Sequence, residues 1–229
     1  ISLNWILLTL TKFKLDFKNP NLLEQALTHR SWINENPGIR GTNERLEFLG
    51  DSVLGFVVSE HLFIKYPTHA EGDLTNFRSS LVNARTLAEV SKKIGLGDFL
   101  LLSKGEEATG GRDRQYLLAN TFEALLGAIY LDSGIDQAKK LIHEELLPKL
   151  EHIIDKKLYK DFKSAFQEIA QEKQNTTPSY KVLDESGPDH NRTFKVGVFI
   201  GENQVGEGSG KSKQIAEQEA AASALAKFT

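Results

Sequence analysis

Glu44, Glu47 and Asp51 stand at i, i+3 and i+7, so on a helix they share one narrow stripe. Around them Leu46, Phe48, Leu49, Val53, Leu54, Phe56, Val57 and Val58 are apolar. A helix apolar nearly all round is predicted to be buried. Carboxylates stacked on a buried helix repel one another and resist desolvation, so a positive partner must hold them. A divalent cation meets that need. A second acidic position lies on another apolar stretch, where Asn120 and Glu123 share a face at i, i+3 and Glu123 is the only charge between Arg114 and Asp132. A plain ion pair between Glu123 and an arginine, or a surface glutamate on a half-buried helix, is the competing reading. Taken together, the two helices can face each other across an oxygen-lined site, whose hard ligands suit Mg²⁺ or Mn²⁺ rather than zinc. Such sites activate water and stabilise charge on a phosphoryl group.

The elements that must position these groups are helices. Apolar periodicity predicts them over 3–14, 20–28, 43–64, 73–93, 117–131, 135–150 and 151–157. Residues 95–116, rich in glycine and charge, read as a long surface loop. After a charged joint at 155–161 the pattern changes. Phe162, Ala165, Phe166, Ile169 and Ala170 keep helical spacing, and strands follow at 180–184, 194–200 and near 204–206. An alanine-rich helix over 211–227 closes the chain. The order helix–strand–strand–strand–helix is that of a small α+β domain.

The 229 residues are 40% hydrophobic and 26% charged, the profile of a soluble globular protein, with a net charge of −3. Any nucleic-acid surface must therefore be a local basic patch. Cysteine is absent, which excludes disulfides, thiolate zinc sites and cysteine nucleophiles and fits a reducing cytoplasm. The apolar run at 5–10 is too short to cross a membrane and lacks the flanks of a signal peptide, so no membrane partner is expected.

Residues 43–54 resemble the signature segment of the ribonuclease III family. Ala26-Leu27-Thr28-His29-Arg30-Ser31, Gly105-Glu106-Glu107, Gly110-Gly111-Arg112 and residues 118–132 resemble further family segments. The C-terminal region resembles the double-stranded RNA-binding domain that follows the nuclease domain in bacterial members. The resemblance implies an all-α endonuclease domain over 1–154, a linker at 155–160, and a small α+β (α-β-β-β-α) double-stranded RNA-binding domain over 161–229. It implies metal-ligand positions at Glu47, Asn120 and Glu123, with Asp51 acting beside Glu123 in catalysis and at the metal. Glu44 matches an outer acidic position linked to substrate and hydrated metal. The implied activity is that of a Mg²⁺-dependent endoribonuclease hydrolysing double-stranded RNA, in which Mn²⁺ can substitute. Its products would carry 5′-phosphates, 3′-hydroxyls and short 3′ overhangs, and rRNA and mRNA processing would be its setting. The family usually has Asp where this chain has Asn120, so metal affinity is expected to fall. The alternative is a catalytically weakened double-stranded RNA-binding protein on the same fold.

Phe48 reads as core by its own pattern, whereas the resemblance places it across a homodimer interface. One acidic site per chain and two strands per duplex also argue for a two-fold pair. For RNA contact the resemblance points to Gln167 and Glu168 on the exposed side of a helix, His190 in a turn, and Lys211, Ser212 and Lys213 opening the last helix. Taken singly, each reads as ordinary solvated surface. Residues 206–212, Gly-Glu-Gly-Ser-Gly-Lys-Ser, look like a phosphate-binding loop, but position 205 is valine where that loop needs glycine, so no nucleotide cofactor is expected. The histidines form no i, i+4 metal pair. His29 is assigned at most a supporting role near the acidic site.

Overall fold

A computed structural model of the chain describes residues 17–38, 41–155, 159, 161–188 and 192–228. The helix expected at 3–14 lies outside the described residues. The chain divides into two compact units, Ile1–Tyr159 and Lys160–Thr229.

The described part of the first unit is helical: α1 (Pro20–Leu27), α2 (Arg30–Glu35), α3 (Glu44–Lys65), α4 (Glu71–Leu81), α5 (Ala84–Ile94), α6 (Lys104–Ala108), α7 (Gln115–Ser133), α8 (Ile135–Leu141) and α9 (Lys149–Asp155). Its centre is α7, where Leu118, Ala119, Phe122, Ala124, Leu125, Leu126, Ala128 and Ile129 are all buried. Against it α3 packs Leu46, Val53, Leu54, Val57, Val58 and Leu62. Each fully buried leucine or phenylalanine contributes about 1.5–3 kcal/mol by leaving water. The Asp132 carboxylate at the end of α7 accepts the amides of Lys18 (3.0 Å) and Asn19 (2.7 Å), tying the start of α1 to this core.

Three expectations are corrected. The helix expected over 73–93 is two, because the Asn83 side chain accepts the Thr86 amide and starts α5 afresh. The helix expected over 135–150 is interrupted by a wider π turn at Ile142–Leu146. Residues 95–116 are not a surface loop: Leu96, Leu100, Leu101 and Leu102 are buried, and Leu101 pairs with Thr28 in a short parallel bridge. Arg112 holds this segment by donating from Nη1 to the carbonyls of Gly97, Asp98 and Leu100.

The second unit runs α10 (Phe162–Gln174), β1 (Ser179–Ser186), β2 (Thr193–Ile200), β3 (Asn203–Gly210) and α11 (Lys213–Phe228), with the strands antiparallel in the order β1-β2-β3. Phe166, Val196, Val198 and four alanines of α11 form its core. Gly206, Gly208 and Gly210 lie on the side of β3 that meets α11. A Cβ there would stand 2.6 Å from the Ala220 carbonyl oxygen, 2.3 Å from its nitrogen and 2.5 Å from Ile215 Cγ2, respectively. Small residues on both sides let helix and strand touch backbone to backbone. The glycines that mimic a phosphate loop are therefore packing glycines in a strand.

Candidate active site

Glycine sets the crossing of α3 and α7. A Cβ on Gly50 would lie 1.7 Å from the backbone oxygen of Glu123, and one on Gly127 would lie 2.2 Å from that of Leu46. Only glycine fits either place. With the helix backbones in contact, the side chains flanking the crossing open into one cavity of about 610 Å³. Glu44, Glu47 and Asp51 line it from α3, and Asn120 and Glu123 from α7. His29 and Arg30 at the start of α2 and Tyr116 in the first turn of α7 complete its wall with Asn43, Phe48 and Leu117. Every expected acidic position is thus brought together.

The acids are not sealed in the core, as the all-apolar helix suggested. Glu44 and Asp51 are exposed, while Glu47, Asn120 and Glu123 are half-buried. The core takes only one face of α3, and Phe48, Phe56 and Phe63 are 79%, 57% and 73% exposed. Core packing therefore does not account for Phe48. Nor does an arginine neutralise Glu123: among the described residues Arg112 pairs with Glu107 and Arg114 with Glu106.

Crowded like charges raise one another's proton affinity. Burial pushes the Glu123 carboxyl up to about 7, helped by Asp51 and Glu47. Glu47 is raised by burial and by Glu44 and Asp51, against a hydrogen bond with Asn120 that lowers it. His29 is lowered, chiefly by burial; Arg30 and Arg114 reinforce this, while Glu106 and Glu44 oppose it. Its Nδ1 accepts the Ser31 amide at 3.3 Å and lies 2.9 Å from Ser31 Oγ, capping α2.

The donors are oxygens throughout, the chemistry of a hard divalent cation. The repulsion that raises Glu123 is what such a cation would relieve. The set is open rather than closed: among the described residues no three His, Cys, Asp or Glu side chains converge tightly enough to hold a metal alone. Mg²⁺, which commonly keeps several of its waters, tolerates such a set. The residues present fit the group.

In the second unit Gln167 and Glu168 are exposed on α10, opposite the buried Phe166 and Ala170, and line a shallow depression with Ser164 and Gln171. Lys211 Nζ donates to Thr193 Oγ1 at 3.1 Å, and Ser212 Oγ accepts the Ile215 amide at 3.3 Å. Lys213, the first residue of α11, holds its ammonium 5.5 Å from the Phe194 ring centroid. His190 lies outside the described residues.

A family model described as Ribonuclease-III-like matches residues 19–150, and one described as double-stranded RNA binding motif matches 162–228. The chain belongs to the ribonuclease III family. Ribonuclease 3 of Geobacter metallireducens is 46% identical over 214 residues, covering 93% of this chain and 87% of that protein. Ribonuclease 3 of Thermobifida fusca is 47% identical over 205 residues, covering 90% and 85%. The solved nuclease domain of ribonuclease III from Campylobacter jejuni aligns with a TM-score of 0.57 at 39% identity, covering 64% of this chain and 97% of that one. This ribonuclease III family chain is accordingly an endoribonuclease of that type, with a helical nuclease domain followed by a double-stranded RNA-binding domain. No helix among the described residues is long and apolar enough to cross a membrane.

Arg30, Asn43 and Tyr116 line the cavity without having been singled out from sequence. The signal that could have found Arg30 is local: an arginine directly after a histidine helix cap.

Proposed function

We propose that the chain is a Mg²⁺-dependent endoribonuclease that hydrolyses double-stranded RNA to 5′-phosphate and 3′-hydroxyl ends with short 3′ overhangs, with Mn²⁺ able to substitute. The observation that carries this reading is the oxygen-lined cavity at the glycine crossing, where Glu47, Asp51, Asn120 and Glu123 meet. Glu47, Asn120 and Glu123, with Asp51 beside them, would hold the metal. Bound there, Mg²⁺ supplies Lewis-acid stabilisation of phosphoryl charge and a more acidic water.

The chain's own groups do the rest. Without the metal, Glu123 is raised to about 7 and can hold a proton at its carboxylate; with it, the carboxylate is free to take up the cation. Asp51, exposed beside it, orients water toward the scissile phosphorus. Glu44 sits outermost and meets the substrate. In the second domain Gln167, Glu168, Lys211, Ser212 and Lys213, with His190, would grip the duplex by shape. The exposed Phe48 and Phe56 support a homodimer that cuts both strands. The Campylobacter jejuni nuclease domain is itself described as having a region involved in dimer formation. Processing of rRNA and mRNA precursors in the cytoplasm is the setting such a cut serves.

Asn120 presents a neutral amide in the cavity that Glu47 lines, where an aspartate would add charge, and this favours one second reading: a duplex-binding protein with weakened cleavage. A labelled RNA duplex incubated with and without Mg²⁺ and run on a denaturing gel decides. Metal-dependent cleavage lost in Glu123→Ala supports the nuclease; binding without cleavage supports the second reading.

A further inference from the structure

We infer that Arg30 is an RNA contact of the nuclease domain, its guanidinium receiving a backbone phosphate at the rim of the acidic cavity. The inference rests on reading that cavity as the cleavage site. Among the described residues lining it, Arg30 is the one lysine or arginine beside Glu44, Glu47, Asp51 and Glu123. A polyanionic duplex approaching those carboxylates is repelled unless a cation at the entrance offsets them.

Among the described residues no side-chain hydrogen bond employs Arg30. Its one ion pair there, with Glu44, is 4.0 Å long, and the two side chains are 75% and 57% exposed. Such a contact contributes little to stability. Its position is also locally unfavourable. As the first residue of α2 it puts positive charge where helices favour acids, and it helps to depress the neighbouring His29. A residue that breaks a local rule without structural gain is expected to serve a site.

The backbone beneath Arg30 is fixed. His29 donates its amide to the Leu101 carbonyl at 3.1 Å, and Ser31 Oγ accepts the Ser103 amide at 3.0 Å. A held Cα carrying a long, exposed planar fork suits bidentate capture of phosphate.

The test compares wild type, Arg30→Ala and Arg30→Lys in the full chain with a labelled RNA duplex. Steady-state cleavage is measured across Mg²⁺ and salt concentrations, and duplex affinity by anisotropy in the absence of divalent metal. For Arg30→Ala we expect KM to rise about tenfold, as for a lost charge-assisted hydrogen bond, with kcat within about twofold. The slope of log affinity against log salt should shrink by about one, the loss of one phosphate contact. Arg30→Lys should keep that slope and recover part of the affinity. Unchanged KM and salt slope in Arg30→Ala would overturn the inference. So would an effect confined to a lower Mg²⁺ requirement, which would mean that Arg30 merely opposes charge at the acids. If wild type itself fails to cut the duplex, it is the nuclease reading that fails.

Discussion

In metal-free protein, replacing Glu123 by glutamine should raise stability while abolishing activity. Burial, with Asp51 and Glu47 nearby, pushes the Glu123 carboxyl from an ordinary 4.5 up to about 7. At 1.36 kcal/mol per unit this corresponds to about 3.4 kcal/mol, which solvent screening of a half-buried group reduces to about 1–2 kcal/mol. The folded state binds the proton more tightly than the unfolded chain. Its contribution is therefore complete below about pH 4.5 and disappears as pH rises through about 7.

Wild type stripped of divalent metal with EDTA should thus lose about 1–2 kcal/mol of stability between pH 4.5 and 8 that Glu123→Gln does not lose. In a calorimetric scan that is about 2–8 °C in the melting of the helical domain. Some slope should persist in the variant, since Glu47 is raised as well. Added Mg²⁺ should restore wild type at pH 8 and do little for the variant. A Glu123→Gln variant that melts below metal-free wild type at pH 8, or that shows the same pH slope, would refute the claim that the cluster is held together against its own repulsion.

The crossing, the donor set and the RNA surface each yield a further expectation. Gly50→Ala drives a methyl group into the Glu123 carbonyl and should cost about 3 kcal/mol or more in a denaturant melt; a neutral result would mean that the helices do not touch there. Asn120→Asp should lower the Mg²⁺ concentration for half-maximal cleavage several-fold, and an unchanged metal dependence would show that position 120 is not a ligand. Lys211→Ala with Lys213→Ala should weaken duplex affinity and reduce its salt slope by about two; unaltered binding would remove both from the interface.

Much of this arrangement is legible from residue type and spacing, and the remainder fails for identifiable reasons. The acidic stripe on α3 follows from helical periodicity, and the second domain follows from its change of pattern at Phe162. What periodicity cannot say is which apolar face of α3 meets the chain's own core. Phe48 and Phe56 are as hydrophobic as Leu54 and Val57, yet only the latter are buried. The break at Asn83 is hidden because Leu81 and Ala88, seven residues apart, keep helical spacing across it, and only the side-chain cap distinguishes one helix from two. Residues 95–116 misled because their glycines and charges outnumber the leucines that anchor them. Their order comes from Arg112 gathering three carbonyls, a tertiary contact without local signature.

Gly50 and Gly127 explain how so unfavourable a cluster persists. Glycine in a helix interior costs about 0.5–1 kcal/mol relative to alanine, and α3 and α7 each carry one at their contact. The gain is an approach closer than any side chain allows, bracketed by fully or nearly buried Leu46, Leu54, Phe122 and Leu126. With the backbones locked, Glu47, Asp51 and Glu123 can relieve their repulsion by taking up a proton or a cation, but not by moving the helices apart. A looser crossing would let the helices part and the carboxylates disperse into solvent, the proton affinities of Glu47 and Glu123 returning toward ordinary values. The glycines thus act on the chemistry through position alone. A substitution at Gly127, which adds and removes no charge, should therefore lower the Glu123 titration midpoint as well as the melting temperature.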